Sequence, residues 1–133
     1  MLNRMDRLFG TSISEGITVY LSTNPRCTYN IQGNYFFVYM NSPYPQGIIA
    51  HELLHFYTWH SFHDELTIAG VTKEKYNDIK ESLTELLNMD FSDLLGSYTD
   101  SGYPQHQDAR VKIRHMREEG KSIKQIVNTL ATQ

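Results

Sequence analysis

The chain has 133 residues, 40% hydrophobic and 20% charged, with a net charge of −3. That is one domain's length with enough apolar surface for a core, and the lone cysteine, Cys27, excludes an internal disulfide. The negative balance does not favour non-specific nucleic-acid binding, and no apolar run is long enough to span a bilayer.

Along the chain, "MLNRMDRLFG" carries basic residues with no apolar stretch behind them, so no secretory leader is expected and a cytoplasmic location is favoured. "GITVYL" (16–21) reads as a strand. "CTYNI" and "YFFVYMN" flank a short loop containing Gly33 and Asn34, the pattern of a hairpin, with Cys27 expected as a small half-buried residue. "SPYP" (42–45) ends the strands, and Pro45 suits a helix N-terminus, where its missing N–H costs nothing. A helix is expected over 46–60, then a loop over 61–72. A second helix is predicted over 73–89, with Tyr76, Ile79, Leu83, Leu86 and Leu87 on one stripe. "GSYTDSGYP" (96–104) is a polar loop, followed by helices over 105–118 and 122–131. Strands first and helices after predict a single α+β domain, 1–133, with a small and mainly antiparallel sheet packed on helices. A monomer is expected.

The chemistry concentrates in "GIIAHELLHFYTW" (47–59). Residues four apart on a helix are about 40° apart in rotation and about 6 Å apart along the axis. His51 and His55 can therefore point at one ion, and neutral imidazole is a ligand that suits zinc. Glu52 lies one step round the helix, where a general base can take a proton from a water held at the metal. His51-Glu52-Leu53-Leu54-His55 is the HExxH pattern of zinc metallopeptidases. Shuffling this composition would produce such a match roughly 0.02 times per chain. A catalytic zinc needs a third protein ligand and one open position. The extended motif with glycine and histidine at positions 58 and 61 is absent, because Thr58 and Ser61 stand there. His60 and His63 are off register and read as surface or loop histidines. Glu81 and Glu85, four apart in "KESLTELLN" (80–88), share a face opposite the Leu83, Leu86 and Leu87 stripe. That spacing leaves both open as the ligand.

HELLH followed by "ESLTELL" resembles the gluzincin class of zinc metallopeptidases, of which thermolysin is the best-known member. The resemblance covers roughly residues 17–104 and implies a zincin-like fold holding one catalytic Zn²⁺. It implies Glu81 as third ligand and Glu85 as the group that accepts a hydrogen bond from the free ring nitrogen of His51, though the family usually carries Asp at that place. It also implies an edge strand above the cleft, supplied by "YFFVYMN", with Tyr39 and Asn41 meeting a peptide added to the sheet. A large C-terminal subdomain is missing, so the donor to the oxyanion must come from elsewhere. Tyr103 and His106, after the flexible stretch, are the expected candidates. The partner is then a peptide or protein substrate.

Two other readings accompany this one. A regulatory metallopeptidase of the ImmA/IrrE kind, which cleaves a repressor, shares HExxH and a downstream acidic ligand. Its "EAN-x-FA" segment is replaced here by "KESLTELLN". A zinc-stabilised binding module without turnover would need the same ligands. The basic run over 106–125 and "EGKSIKQIVNTLATQ" (119–133) resemble the start of a helix-turn-helix, but the chain ends where a recognition helix would begin, so nucleic acid is not the expected partner.

Overall fold

The structure, a computed structural model, describes residues 1–133 except Ser14 and Cys27. The expectation for Cys27 therefore lies outside the described residues.

The chain opens with α1 (Leu2–Phe9), which presents Met5 and Phe9, four apart, to the core. Gly10 ends it in the left-handed region at φ 67°, and its N–H bonds back to the Asp6 carbonyl. Three strands follow: β1 (Thr18–Ser22), β2 (Tyr29–Asn30) and β3 (Tyr35–Tyr39). β2 and β3 form the expected hairpin, with the Gly33 N–H donating to the Asn30 side chain at 2.7 Å and Asn34 at φ 54°. The sheet order is β1-β3-β2, and β1 pairs parallel to β3 over five residues. The sheet is thus mixed, not mainly antiparallel. It also places β3 in the middle, so "YFFVYMN" is not an edge strand. Phe36 and Val38 face inward and are buried, as the two-residue period of a strand requires.

α2 (Pro45–Ile68) is the central helix. It runs eight residues past its expected end, because Thr58, Phe62 and Leu66 continue a buried stripe at spacing four through a stretch that reads as polar loop. Ala69 and Gly70 (φ 84°) close it. α3 (Lys73–Ser82) starts at Thr72, whose side-chain oxygen accepts from the Lys75 N–H at 3.1 Å. The single helix expected over 73–89 is instead broken at Leu83–Thr84. There the N–H groups of Leu86 and Leu87 bond to carbonyls three residues back, and α4 (Glu85–Asp90) sets off afresh. A short α5 (Ser92–Leu95) and a 3₁₀ turn (Pro104–His106) lead to α6 (Gln107–Glu118) and α7 (Ile123–Ala131), close to the predicted pair. Ser122 and Gln125 form a reciprocal cap at the start of α7.

The core gathers Phe36, Leu54, Phe56, Leu83, Leu86, Leu87, Ile113, Ile126 and Val127 between the sheet, α2, α3, α4, α6 and α7. Each such side chain contributes about 1.5–3 kcal/mol by burial. The expected α+β class is therefore observed, with α2 contributing buried residues from Gly47 to Leu66. Among the described residues, no helix is long and apolar enough to cross a membrane.

Candidate metal centre

Helix α2 presents His51, Glu52 and His55 within its first three turns, and α3 presents Glu81 in its last. The nearer carboxylate oxygen of Glu81 is 3.5 Å from His55 Nε2 and 3.9 Å from His51 Nε2. All three donor atoms lie within 4.8 Å of one another. Ligands held at zinc distances around a tetrahedral ion stand about 3.4 Å apart. The cluster therefore has the donor types and nearly the spacing a zinc ion takes, with two imidazoles and one carboxylate. The His55 ring is almost fully buried, and burial, then the neighbouring His51, outweigh Glu81 and hold its pKa down at about 4. A neutral ring is what a metal requires. Burial works against the charged form of Glu81 too, but the hydrogen bond and charge of His55, with Lys80, prevail and bring its pKa down to about 2.

The partner that orients His51 is Asp100, in the loop between α5 and the 3₁₀ turn. His51 Nδ1 is 2.7 Å from Asp100 Oδ2. A carboxylate only accepts, so the ring proton sits on Nδ1 and the lone pair of Nε2 faces Glu81 and His55. Burial opposes a charged His51 ring, yet the Asp100 bond and charge raise its pKa. Asp100 is itself fixed by the hydroxyl of Thr84 at 2.8 Å, by Arg110 at 3.2 Å and by the Tyr98 hydroxyl at 3.2 Å. Burial opposes its ionisation, but these partners, His51 foremost, hold its pKa near 2. Tyr98 reaches this position because Gly47, one turn before His51, leaves room: a Cβ there would come within 2.4 Å of the Tyr98 ring.

This corrects the role expected of Glu85. The break at Thr84 turns Glu85 away from the histidines and buries it against α6, where it pairs with Arg110 at 2.7 Å and with Arg114. Thr84, not Glu85, connects this segment to the His51 partner. Arg117 likewise pairs with Asp90 at 2.8 Å. Three arginines of the basic run are therefore engaged within the fold.

Glu52 is 7% exposed, and its Oε2 is buried without a hydrogen-bond partner among the described residues. Burial raises its pKa to about 7, against the pull of His51. It opens on a cleft of about 340 Å³ shared with His51, Ile48, Tyr98, Asp100 and Tyr103. Tyr103 lines the same cleft as Glu52. His106 does not: it is 5% exposed and its Nε2 meets Asp78 Oδ1 at 3.0 Å, on the outer side of α3. Its ring is used in docking the 3₁₀ turn to α3. Tyr39 ends the interior strand, Asn41 lies in the turn after it, and neither lines this cleft or the larger groove that includes His55.

That groove, about 770 Å³, is not legible in the sequence. It runs from His55 along α2 to Leu66, walled by Trp59, Tyr76, Val71 and Tyr29. His63 lies flat on Trp59, their ring centres 3.4 Å apart, and takes no part in the ligand cluster. β2, one of the two edge strands, borders it through Tyr29, whose ring is 5.7 Å from that of His55. The edge strand near the His51, His55 and Glu81 cluster is thus β2.

Comparison with protein-family models, with curated proteins and with solved structures gave no match. Function is therefore read from the chemistry of the site.

Proposed function

We propose that the chain is a zinc-dependent metallopeptidase of the gluzincin kind, with His51, His55 and Glu81 as metal ligands and Glu52 as general base. The single observation that carries this is the buried Glu52 Oε2, without a hydrogen-bond partner among the described residues and with the carboxyl pKa near 7, next to three convergent metal donors. A structural glutamate at 7% exposure would be paired; this one is free to take and return a proton near neutral pH. When bound, zinc would lower the pKa of water and polarise a carbonyl.

The residues divide the work. Asp100 keeps His51 in one tautomer and Arg110 keeps Asp100 charged and in place. Glu52 accepts the proton of the attacking water and later delivers it to the leaving amine. Burial of the site keeps bulk water from solvating that carboxylate, which makes it a stronger base than an exposed one. The substrate is read as a peptide, laid along the outer edge of β2 with a side chain in the aromatic groove. Tyr103 borders the Glu52 cleft and is exposed enough to meet it.

The test is metal analysis combined with cleavage of a peptide library. Glu52→Gln should retain one zinc per chain and lose hydrolysis by at least about 10³-fold. Equal cleavage by the wild type and Glu52→Gln would remove Glu52 from the chemistry. Zinc binding with no cleavage of any peptide by the wild type would favour the metal-stabilised module.

A further inference from the structure

Tyr29 stands directly across from Phe36 in the antiparallel register of β2 and β3, so both side chains leave the sheet on the face toward α2. Phe36 packs on Phe56, and Tyr29 lies over His55 and Phe56. The Tyr29 hydroxyl is 2.6 Å from Lys80 Nζ. Lys80 Nζ is also 3.2 Å from the outer oxygen of Glu81, whose other oxygen faces the histidines. Lys80 is 7% exposed, so these two partners hold its ammonium where water does not.

The direction of the Tyr29–Lys80 bond follows from the groups. An ammonium has only donors, so the phenol oxygen accepts. The phenol's one O–H is then left over, and Tyr29 lines the same groove as His55. A cation on the oxygen strengthens that O–H as a donor. Glu52 lies in the other recess, with His51. Glu52 and Tyr29 therefore border the ligand cluster from two different recesses.

We propose that Tyr29, aligned by Lys80, donates the hydrogen bond that stabilises the negative oxygen developing on the scissile carbonyl. The inference rests on the hydrolytic reading above and assigns the donor expected of Tyr103 and His106. As water's oxygen bonds to the carbonyl carbon, the π pair moves to the carbonyl oxygen and Glu52 takes the water proton. Tyr29 keeps its own proton throughout. When the C–N bond breaks, the pair returns and Glu52 protonates the amine.

The experiment compares zinc-loaded wild type, Tyr29→Phe, Lys80→Met and Tyr103→Phe on the best peptide from library profiling, with Glu52→Gln as control. Tyr29→Phe should keep full zinc and a KM within about twofold, and lower kcat by about 10²–10³-fold. Lys80→Met should lower kcat about tenfold, since the phenol remains but is no longer aligned. A second readout needs no turnover: calorimetric affinity for a phosphinic analogue of that peptide, whose anionic oxygens imitate the developing charge. It should fall with kcat in Tyr29→Phe. Affinity for the uncleaved peptide in the Glu52→Gln background should not change when Tyr29→Phe is added, which a merely structural tyrosine would not achieve. Full kcat in Tyr29→Phe with an inactive Glu52→Gln overturns this inference and leaves the hydrolytic reading standing. So does a kcat loss carried by Tyr103→Phe alone. Absence of any Glu52-dependent cleavage by wild type overturns both.

Discussion

Glu81 and Glu85 are four residues apart and chemically identical, yet the end of α3 and the start of α4 put them to opposite uses. Glu81 faces two imidazoles with one oxygen and Lys80 with the other. Glu85 is buried between Arg110 and Arg114. On an unbroken helix they would share a face. The turn at Leu83–Thr84 separates them, and the buried Thr84 hydroxyl uses the gap to hold Asp100. A carboxylate's role is set by which cations the backbone lets it reach, and one broken turn is enough to change that. Glu52 completes the series as the carboxyl whose buried oxygen has no partner among the described residues.

Substitutions should separate the three. Glu85→Ala should have the largest effect on folding, about 3–5 kcal/mol in a urea titration, because it strips a nearly buried arginine of one carboxylate. Zinc affinity should fall by less than tenfold. A fold loss under about 1 kcal/mol would mean the Glu85 pair is ornamental.

Glu52→Gln should act in the other direction on the metal-free protein. Its pKa is raised from 4.5 to about 7, so folding favours the protonated form. Relative to the unfolded chain, that preference is intact below about pH 4.5 and lost as pH rises through about 7, where the fold must house a buried carboxylate. Glutamine never ionises. Urea midpoints of the metal-free proteins should therefore favour Glu52→Gln by about 3 kcal/mol at pH 8 and converge at pH 4. A less stable glutamine variant at pH 8 would mean that burial is not what raises Glu52.

Glu81→Ala should cross over with Glu85→Ala: zinc affinity down at least about 100-fold in a chelator competition, and a smaller cost to the metal-free fold. Unchanged zinc would transfer the third ligand elsewhere. The mildest effect belongs to Asp100→Asn, which keeps the shape but not the charge behind His51. A roughly 10–100-fold loss of zinc affinity is expected, with the fold retained by circular dichroism.

How much of this can be read from residues alone follows the same line. His51, Glu52 and His55 are legible because donor type and helical period coincide over five residues. Glu81 is singled out only by the resemblance, because spacing alone leaves it level with Glu85. Glu85 is misread because nothing in "SLTELL" announces that the helix breaks at a threonine whose hydroxyl finds a tertiary partner. Asp100 escapes notice since it lies in a serine- and glycine-bearing loop with no period to mark its direction. The end of α2 is lost in "HSFHDEL", where polar residues hide the buried Phe62 and Leu66. Whether β1 runs parallel or antiparallel to β3 is a long-range choice that local pattern does not encode. The place of Tyr29 follows from register, which only the paired strands reveal.

The loop that carries Asp100 lays the Tyr98 ring over residue 47, where a Cβ would come within 2.4 Å of it. A methyl group there would lift Tyr98, and Asp100, two residues along, would move with it. The proposed metal grip thus has a trim screw one turn away from the first donor residue. A change at Gly47 would slacken the hold while every ligand stayed in the sequence, and an inventory of ligands would never register the difference.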